Sequence, residues 1–326
     1  MASLDSYSKR FSSLNVAKSR EHWSALTRHS APHKPFVLLA VIDLIAEGVL
    51  TENFVAPSFE LVDTFNIYWS KIMPVSTRGN MAYPFCRLQT DGFWHLVPNP
   101  GYEAPIQCDL ISSMVRLREM VAGATLDAEL YTLLLEPEAR ETLRGIVVRT
   151  YFAEEVGPVL LDQSKVNFDS YRYSEELLQV PRQLVVYPGG EDASDERRNR
   201  VRDQGFRRAI VTLYNHRCAL CGIRMLTADG HTIVEAGHII PWKESYDDRP
   251  SNGMAMCRLC HWFFDEGLMT VGQEYEVLVS SRVGMEQNLP GHIFSLTGRG
   301  ILKPAEEQLW PAQENLGHHR RNKFVS

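Results

Sequence analysis

Two cysteine pairs constrain this chain more than any other feature: Cys218-Ala-Leu-Cys221, followed by Gly222, and Cys257-Arg-Leu-Cys260, 35 residues apart. The two-residue gap inside each pair lets both sulfurs face one ion while nearby backbone N–H groups donate to them. Two such knuckles converge on a tetrahedral thiolate site, the geometry that Zn2+ prefers. A site closed by four thiolates has no open position for substrate, so its expected role is to staple the fold.

The metal reading depends on the thiols staying reduced. The amino-terminal stretch from Met1 to Phe11 lacks the apolar core and cleavage site of a secretory signal. The most apolar run, Phe36 to Leu50, is interrupted by Asp43 and Glu47 and is too short to span a bilayer. A cytoplasmic location is therefore expected, where CxxC pairs bind metal rather than form disulfides. Cys86 and Cys108, outside the pairs, read as ordinary buried thiols.

At 326 residues the chain is long enough for two domains, each with its own core. With 44% hydrophobic and 23% charged residues, wholesale disorder is excluded. The net charge of −6 rules out a molecule coated in positive charge, but nucleic-acid binding is set by local patches. One such patch is visible: between Glu196 and Arg224 stand eight arginines (197, 198, 200, 202, 207, 208, 217 and 224) against two acids, Glu196 and Asp203.

Organisation follows from punctuation and periodicity. A helix is expected from Ala31-Pro32-His33-Lys34-Pro35 to a stop at Gly48, and a second from Ser58 to about Ile72. Alternation from Arg78 to Leu96 about Asp91-Gly92 predicts a β-hairpin. Residues 108–154 again show helical spacing. Residues 166–195, with Val180-Pro181-Arg182-Gln183 and the acidic, glycine-containing run from Tyr187 to Glu196, read as a linker. Beyond the knuckles, residues 275–310 hold short strand-like pieces, around Leu289–Phe294 and Ile301–Pro304. The tail from His318 to Phe324 is a small basic cluster, either touching a DNA backbone or frayed.

Between and after the knuckles lie Glu235-Ala-Gly-His238-Ile-Ile-Pro-Trp242, Asn252-Gly253 and His261-Trp-Phe-Phe-Asp265. With the cysteines, this ordered set resembles the HNH endonuclease family over about residues 197–275. The resemblance implies a ββα-metal unit, two strands and a helix, that hydrolyses DNA phosphodiesters. It makes His238 the general base, Asn252 the pin of the intervening loop, and His261 a catalytic residue and metal ligand. An anionic phosphodiester repels hydroxide, so such a site needs a base for water and a cation for developing charge. Histidine suits the first task because its ordinary pKa lies near working pH. Asp265, four residues after His261, shares its helical face, so the two are candidates to hold Mg2+ or Mn2+. Many relatives carry Asp or His immediately before the base; here that position is Gly237. The shell must then be completed by water, by the scissile phosphate or by another acid such as Glu235, which could equally orient an arginine. Trp242, Trp262 and Phe264 read as core rather than base-stacking platforms, and the arginine run as a phosphate contact.

In the first region, the stretch from Tyr83-Pro84-Phe85-Cys86-Arg87 to Asp91-Gly92-Phe93-Trp94, with His33-Lys34-Pro35 upstream, resembles the sulfur-binding domain of restriction endonucleases that attack phosphorothioate-modified DNA, over about residues 25–155. Cys86 stands where many relatives carry a bulky aromatic. The resemblance implies that Tyr83 and Pro84 wall a shallow apolar pocket for the sulfur, while Lys34, Arg78 and Arg87 hold flanking phosphates or read guanine edges. Sulfur in place of a non-bridging oxygen keeps the charge but is larger, softer and less hydrated. An apolar wall therefore favours it, whereas an oxygen there would lose hydration without compensation. Phe85, Leu88, Phe93 and Trp94 read as packing residues.

The expectation is thus an α+β protein in three parts. Residues 1–165 form a mainly helical DNA-reading domain with a β-hairpin, 166–195 a linker, and 196–326 a zinc-stapled ββα-metal nuclease domain with a C-terminal extension. The expected activity is modification-dependent restriction of double-stranded DNA, with structural Zn2+ and catalytic Mg2+ or Mn2+. Cutting both strands needs two sites or two visits, which makes a homodimer on DNA one route. The alternatives are an HNH nuclease aimed at another modification, and a catalytically degenerate zinc-dependent DNA-binding protein, motivated by Gly237.

Overall fold

The computed structural model describes residues 3–103, 105–180, 183, 194–285 and 291–325. The architecture is α+β: among the described residues, helices stand with three separate two-stranded antiparallel sheets. Two compact units are formed by residues 1–168 with 228–231, and by residues 169–227 with 232–326. No helix among the described residues is long and apolar enough to cross a membrane.

The first unit is built on α2 (His33–Ala46), whose residues from Lys34 to Ile45 are all buried. A helix apolar on every side must be surrounded. The elements of this unit are α1 (Leu4–Ser12), α3 (Phe59–Ile72), α4 (Ala82–Arg87), β1 (Trp94–Pro98), α5 (Met114–Met120), β2 (Val121–Leu126), α6 (Ala128–Leu135), α7 (Pro137–Tyr151) and the first half of α8 (Gly157–Gln179). Ser58 caps α3 by accepting from the Leu61 N–H at 3.3 Å. Inside this core sits a buried polar knot. Asp43 pairs with Arg144, and it accepts from Tyr68 Oη at 2.6 Å, Asn167 Nδ2 at 2.7 Å and Ser164 Oγ at 3.1 Å. Arg144 and Asp43 are each 2% exposed, so the pair persists only because further donors complete the carboxylate's shell.

Several local expectations are corrected here. The segment Arg78 to Leu96 is not a hairpin: α4 and a 3-10 turn at Leu88–Asp91 precede β1, whose partner is the distant β2, with Trp94 opposite Leu126. Residues 108–154 are accordingly not helical throughout, because 121–126 form that strand. Buried Trp94 and Leu126 explain why: a two-stranded sheet there covers one flank of the core. The first half of the expected linker lies in α8, a 23-residue helix that crosses the division between the units. Most of the rest of that linker, including its acidic run before Ser194, lies outside the described residues. Cys86 and Cys108 are not free thiols but a disulfide, tying α4 to the Cys108–Leu110 turn. Two cysteines 22 apart in sequence gave no pairing signal; the fold brings their Cα atoms to 5.6 Å.

The second unit holds α9 (Asp195–Leu213), β3 (Val234–His238), α10 (Trp242–Ser245), β4 (Gly253–Cys257), α11 (Arg258–Asp265), β5 (Met269–Val271), β6 (Val277–Val279) and α12 (Gln313–Asn322). Strands β3 and β4 pair antiparallel, placing His238 opposite Gly253 and Val234 opposite Cys257, and α11 follows β4 directly. This is a ββα unit. Among the described residues of 275–310 a strand forms only at Val277–Val279; Ile293–Leu296 is a 3-10 turn, and residues 286–290 lie outside the described residues. The basic tail is largely a helix, not a frayed end. His319 on α12 is 2% exposed, stacks on Phe264 at 3.7 Å, and bonds Thr270 Oγ1 at 2.8 Å and the Phe264 carbonyl at 3.0 Å.

Candidate functional site

The four knuckle cysteines converge: their Sγ atoms all lie within 4.8 Å of one another, and three of the four residues are buried. Cys221 Sγ and Cys257 Sγ are 3.7 Å apart, too far for a disulfide. Sulfurs bound to one tetrahedral Zn2+ at about 2.3 Å would be separated by about 3.8 Å. The set therefore fits such an ion. Cys218 Sγ accepts from the Cys221 N–H at 3.5 Å, as expected of a knuckle. Crowded sulfurs also share protons unequally: hydrogen bonds from its neighbours lower Cys221 to about 7, while they push Cys218 and Cys260 up. A divalent cation would replace those protons.

The cysteine cluster sets the frame for the polar residues between the knuckles. His238, the last residue of β3, stacks face to face on Phe206 of α9 at 3.9 Å. That stacking needs α9 close to the sheet, and Gly253 permits it: a Cβ there would lie 2.6 Å from Ile210 Cδ1 and 3.0 Å from Phe206 Cζ. His238 Nε2 lies 2.7 Å from Asp248 Oδ1.

Asn252 is wholly buried, and every bond it makes holds the loop between the strands. Its Nδ2 donates to the carbonyls of Asp247 at 2.9 Å and Ile240 at 3.0 Å and to Ser245 Oγ at 3.4 Å; its Oδ1 accepts from the Ile240 N–H at 2.9 Å. It does not line the cleft into which His238 opens. Its geometry is that of a positioning residue.

On α11, His261 Nε2 lies 3.5 Å from Asp265 Oδ2, and Nδ1 lies 3.4 Å from Glu235 Oε2. The two acids therefore address opposite edges of one imidazole. His261 Nε2 and Asp265 are placed to share a cation. Glu235, which also accepts from Arg258 Nε at 3.0 Å, is placed to hold the ring in orientation. Gly237 has a steric reason: a Cβ there would run into Met256 Cε and come within 2.9 Å of His261 Nε2. The missing side chain makes room for the histidine.

His238, His261 and Asp265 line one open cleft of about 360 Å3 with Arg202, Asp203, Pro241, Trp242 and Lys243. Arg202 lies over the Trp242 ring at 3.9 Å. The aromatic residues divide: Phe264 is core, but Trp262 is 53% exposed, against the expectation that it would be buried.

The first unit has a cavity of about 540 Å3, and its walls include Lys34, Tyr83, Pro84 and Arg87. It also draws on Asn15, Trp23, His33, Asn80 and Thr90, which the sequence pattern did not single out as pocket residues. Arg78 is exposed and is not among the lining residues. The cationic groups are engaged: Lys34 Nζ donates to Asp91 at 2.6 Å and to Thr90 Oγ1 at 3.3 Å, and Arg87 pairs with Asp109 while lying over the Tyr83 ring at 5.0 Å. Burial holds His33 at a pKa of about 4, so a neutral ring faces the cavity, between Trp23 and Trp69. Neutral rings, a proline and alanines make the wall chiefly apolar.

Residues 5–168, half the chain, match the family described as ScoMcrA-like, DNA sulfur-binding domain. The chain belongs to that family. Residues 218–272 match the HNH endonuclease family. The sulfur-binding domain thus coincides with the unit that carries the Tyr83–Pro84 cavity, and the HNH endonuclease domain contains the cysteine cluster, β3, β4 and α11. DNA is the partner both domains imply. No curated protein matches the chain. Among solved structures it is similar to a modification dependent TagI restriction endonuclease, at 18% identity over 37% of this chain, with a TM-score of 0.28. The match spans 38% of that protein's length.

The residue that sequence reasoning missed in the HNH domain is Asp248. Beside Asp247 it looks like one half of a solvated acidic turn, yet it is 5% exposed and directly bonded to His238. No spacing rule signals it, because its partners come from three separate segments.

Proposed function

We propose that this protein is a modification-dependent restriction endonuclease: its sulfur-binding domain captures phosphorothioated duplex DNA, and its HNH domain hydrolyses phosphodiester bonds nearby. The division of labour falls between residues 1–165 and 196–326. The observation that carries the reading is the cleft in which His238, stacked on Phe206 and bonded to Asp248, opens beside His261 and Asp265. Zn2+ would be held by Cys218, Cys221, Cys257 and Cys260, and Mg2+ or Mn2+ by His261 and Asp265. The second ion, when bound, would supply positive charge for the phosphorane-like transition state and the leaving oxygen.

The chain's own residues do the rest. His238 takes a proton from water as the water oxygen bonds to phosphorus, and the bond from phosphorus to the departing sugar oxygen breaks. Asn252 fixes the loop that frames this exchange, and Arg202 and Lys243 bring positive charge to the phosphate. In the sulfur-binding domain, Tyr83, Pro84 and the neutral His33 offer an apolar wall for a poorly hydrated sulfur, while Arg87, and Arg78 at the exposed surface nearby, supply the charge that phosphate requires.

The test is cleavage of matched plasmids, one phosphorothioated and one not, with Mg2+ or Mn2+, beside His238→Ala. The expected result is cutting confined to the modified plasmid and abolished in the variant. Equal cutting of both plasmids would retain the nuclease and reject the sulfur specificity; no cutting of either would reject the nuclease reading.

A further inference from the structure

Asp248 sits at the meeting point of three segments. Its Oδ1 accepts from His238 Nε2 at 2.7 Å and from Arg202 Nη1 at 3.3 Å, and its Oδ2 accepts from Tyr173 Oη at 2.9 Å. Tyr173 is on α8, Arg202 on α9 and Asp248 on the strand-connecting loop. The carboxylate is 4% exposed, so water plays little part in holding it. Tyr173 is itself buried, and burial together with the neighbouring Asp248 pushes its phenol up, which keeps the hydroxyl a donor. The loop is fixed from its other side, where Asn252 Nδ2 donates to the carbonyl of Asp247, the preceding residue.

We propose that Asp248, held by Tyr173 and Arg202, is the positioning residue that sets the ring orientation and tautomer of His238. A carboxylate accepts and does not donate, so the nitrogen facing it, Nε2, carries the ring proton. Nδ1 is left with the lone pair and is the atom that takes the proton from water. When that proton arrives, the imidazolium keeps its Nε2–H on Asp248, and the new charge forms beside a fixed anion. Phe206 under the ring blocks rotation out of plane, so orientation is set by one stacking face and one hydrogen bond. The inference rests on the nuclease reading for its catalytic consequence, but the tautomer is a property of the protein alone.

Two measurements on the full chain separate the two. In protein labelled with 15N-histidine, with His238 assigned by its loss in His238→Ala, the ring nitrogen shifts report which nitrogen carries the proton. The expected state is protonated Nε2 and bare Nδ1, reversing in Asp248→Asn, whose amide donates toward Nε2. A bare Nε2 in the unsubstituted protein would overturn the proposal, even if Asp248→Asn failed to fold. In cleavage assays, Asp248→Asn is expected to lower kcat by about 10^3 to 10^4, as loss of the correct tautomer does in hydrolytic triads, while KM for DNA changes less than about threefold. Asp248→Glu should restore part of kcat, and Tyr173→Phe should lose less than Asp248→Asn, since one of three donors goes. Equal falls in kcat and in DNA affinity, with no rescue by glutamate, would make Asp248 merely structural. Should the unsubstituted protein cut no DNA, the function proposed above fails, while the ring nitrogen shifts still decide the tautomer.

Discussion

At the scale of single residues, the HNH site depends as much on missing atoms as on present ones. Gly237 is open because the His261 ring and the Met256 methyl occupy the space a Cβ would need. Met256 can shift its flexible end, but His261 Nε2 is the atom proposed above as a ligand of the catalytic cation. Gly237→Ala should therefore leave the melting temperature nearly unchanged yet slow cleavage by about tenfold to a hundredfold, because small misplacements of reacting groups cost that much. Single-turnover cleavage and thermal melting of the same preparation check this; a large loss of stability with normal cleavage would reject it. The family was legible here from the ordered histidine, asparagine and aspartate set. The reason for the glycine was not, since Met256 and His261 reach it only once β3, β4 and α11 are packed.

At the scale of elements, two buried polar contacts carry measurable weight. In the sulfur-binding domain, Arg144 of α7 and Asp43 of α2 are sealed from water together. Removing one partner strands the other charge, so Arg144→Met should destabilise this domain by about 3–5 kcal/mol in urea unfolding. In the second unit, His319 pins α12 onto Phe264 of α11, and burial lowers its pKa from 6.5 to about 4. Between those values the unfolded chain binds more protons than the folded one, so stability rises with pH. The contribution is fully present above pH 6.5 and is lost as pH falls toward 4. From pH 7.5 to pH 5 the loss should be about 2 kcal/mol. His319→Gln should flatten that part of the pH dependence of the second unit's unfolding, and an unchanged slope would show that His319 is not its source. The helices at α2 and α3 were readable from periodicity and punctuation. The β1–β2 pairing was not, because its two strands are brought together across an intervening helix rather than by a local turn.

At the scale of the whole molecule, the units draw on different cohesion. The sulfur-binding domain has a continuous apolar core around α2. The HNH domain arranges short strands and loops about the cysteine cluster. Removal of a metal from that cluster, by Cys260→Ser or by a chelator, should therefore abolish cooperative unfolding of the HNH domain and cleavage with it. The full-length variant should still bind phosphorothioated DNA, because Tyr83 and Pro84 stand in the other unit. Metal analysis and DNA binding on one preparation check both halves; loss of DNA binding with the metal would show that the units do not fold independently.

The doubled knuckle was a local pattern whose spacing predicts a thiolate cluster, and the ordered motif, through its resemblance to the HNH endonuclease family, predicted the ββα unit and singled out His238, Asn252, His261 and Asp265 as candidates for its site. Resemblance likewise singled out Tyr83 and Pro84, but the cavity they wall also draws on Asn15, Trp23, His33 and Asn80, which only the fold brings beside them. Tertiary structure decided what depends on distant segments meeting. It joined Cys86 to Cys108, engaged Lys34 with Asp91, left Arg78 off the cavity wall, and set Asp248 between α8, α9 and the base. The physical reason is common to all four. A side chain's partner is selected by packing, and packing brings together residues as far as 75 positions apart, as Tyr173 and Asp248 are, that no local periodicity links.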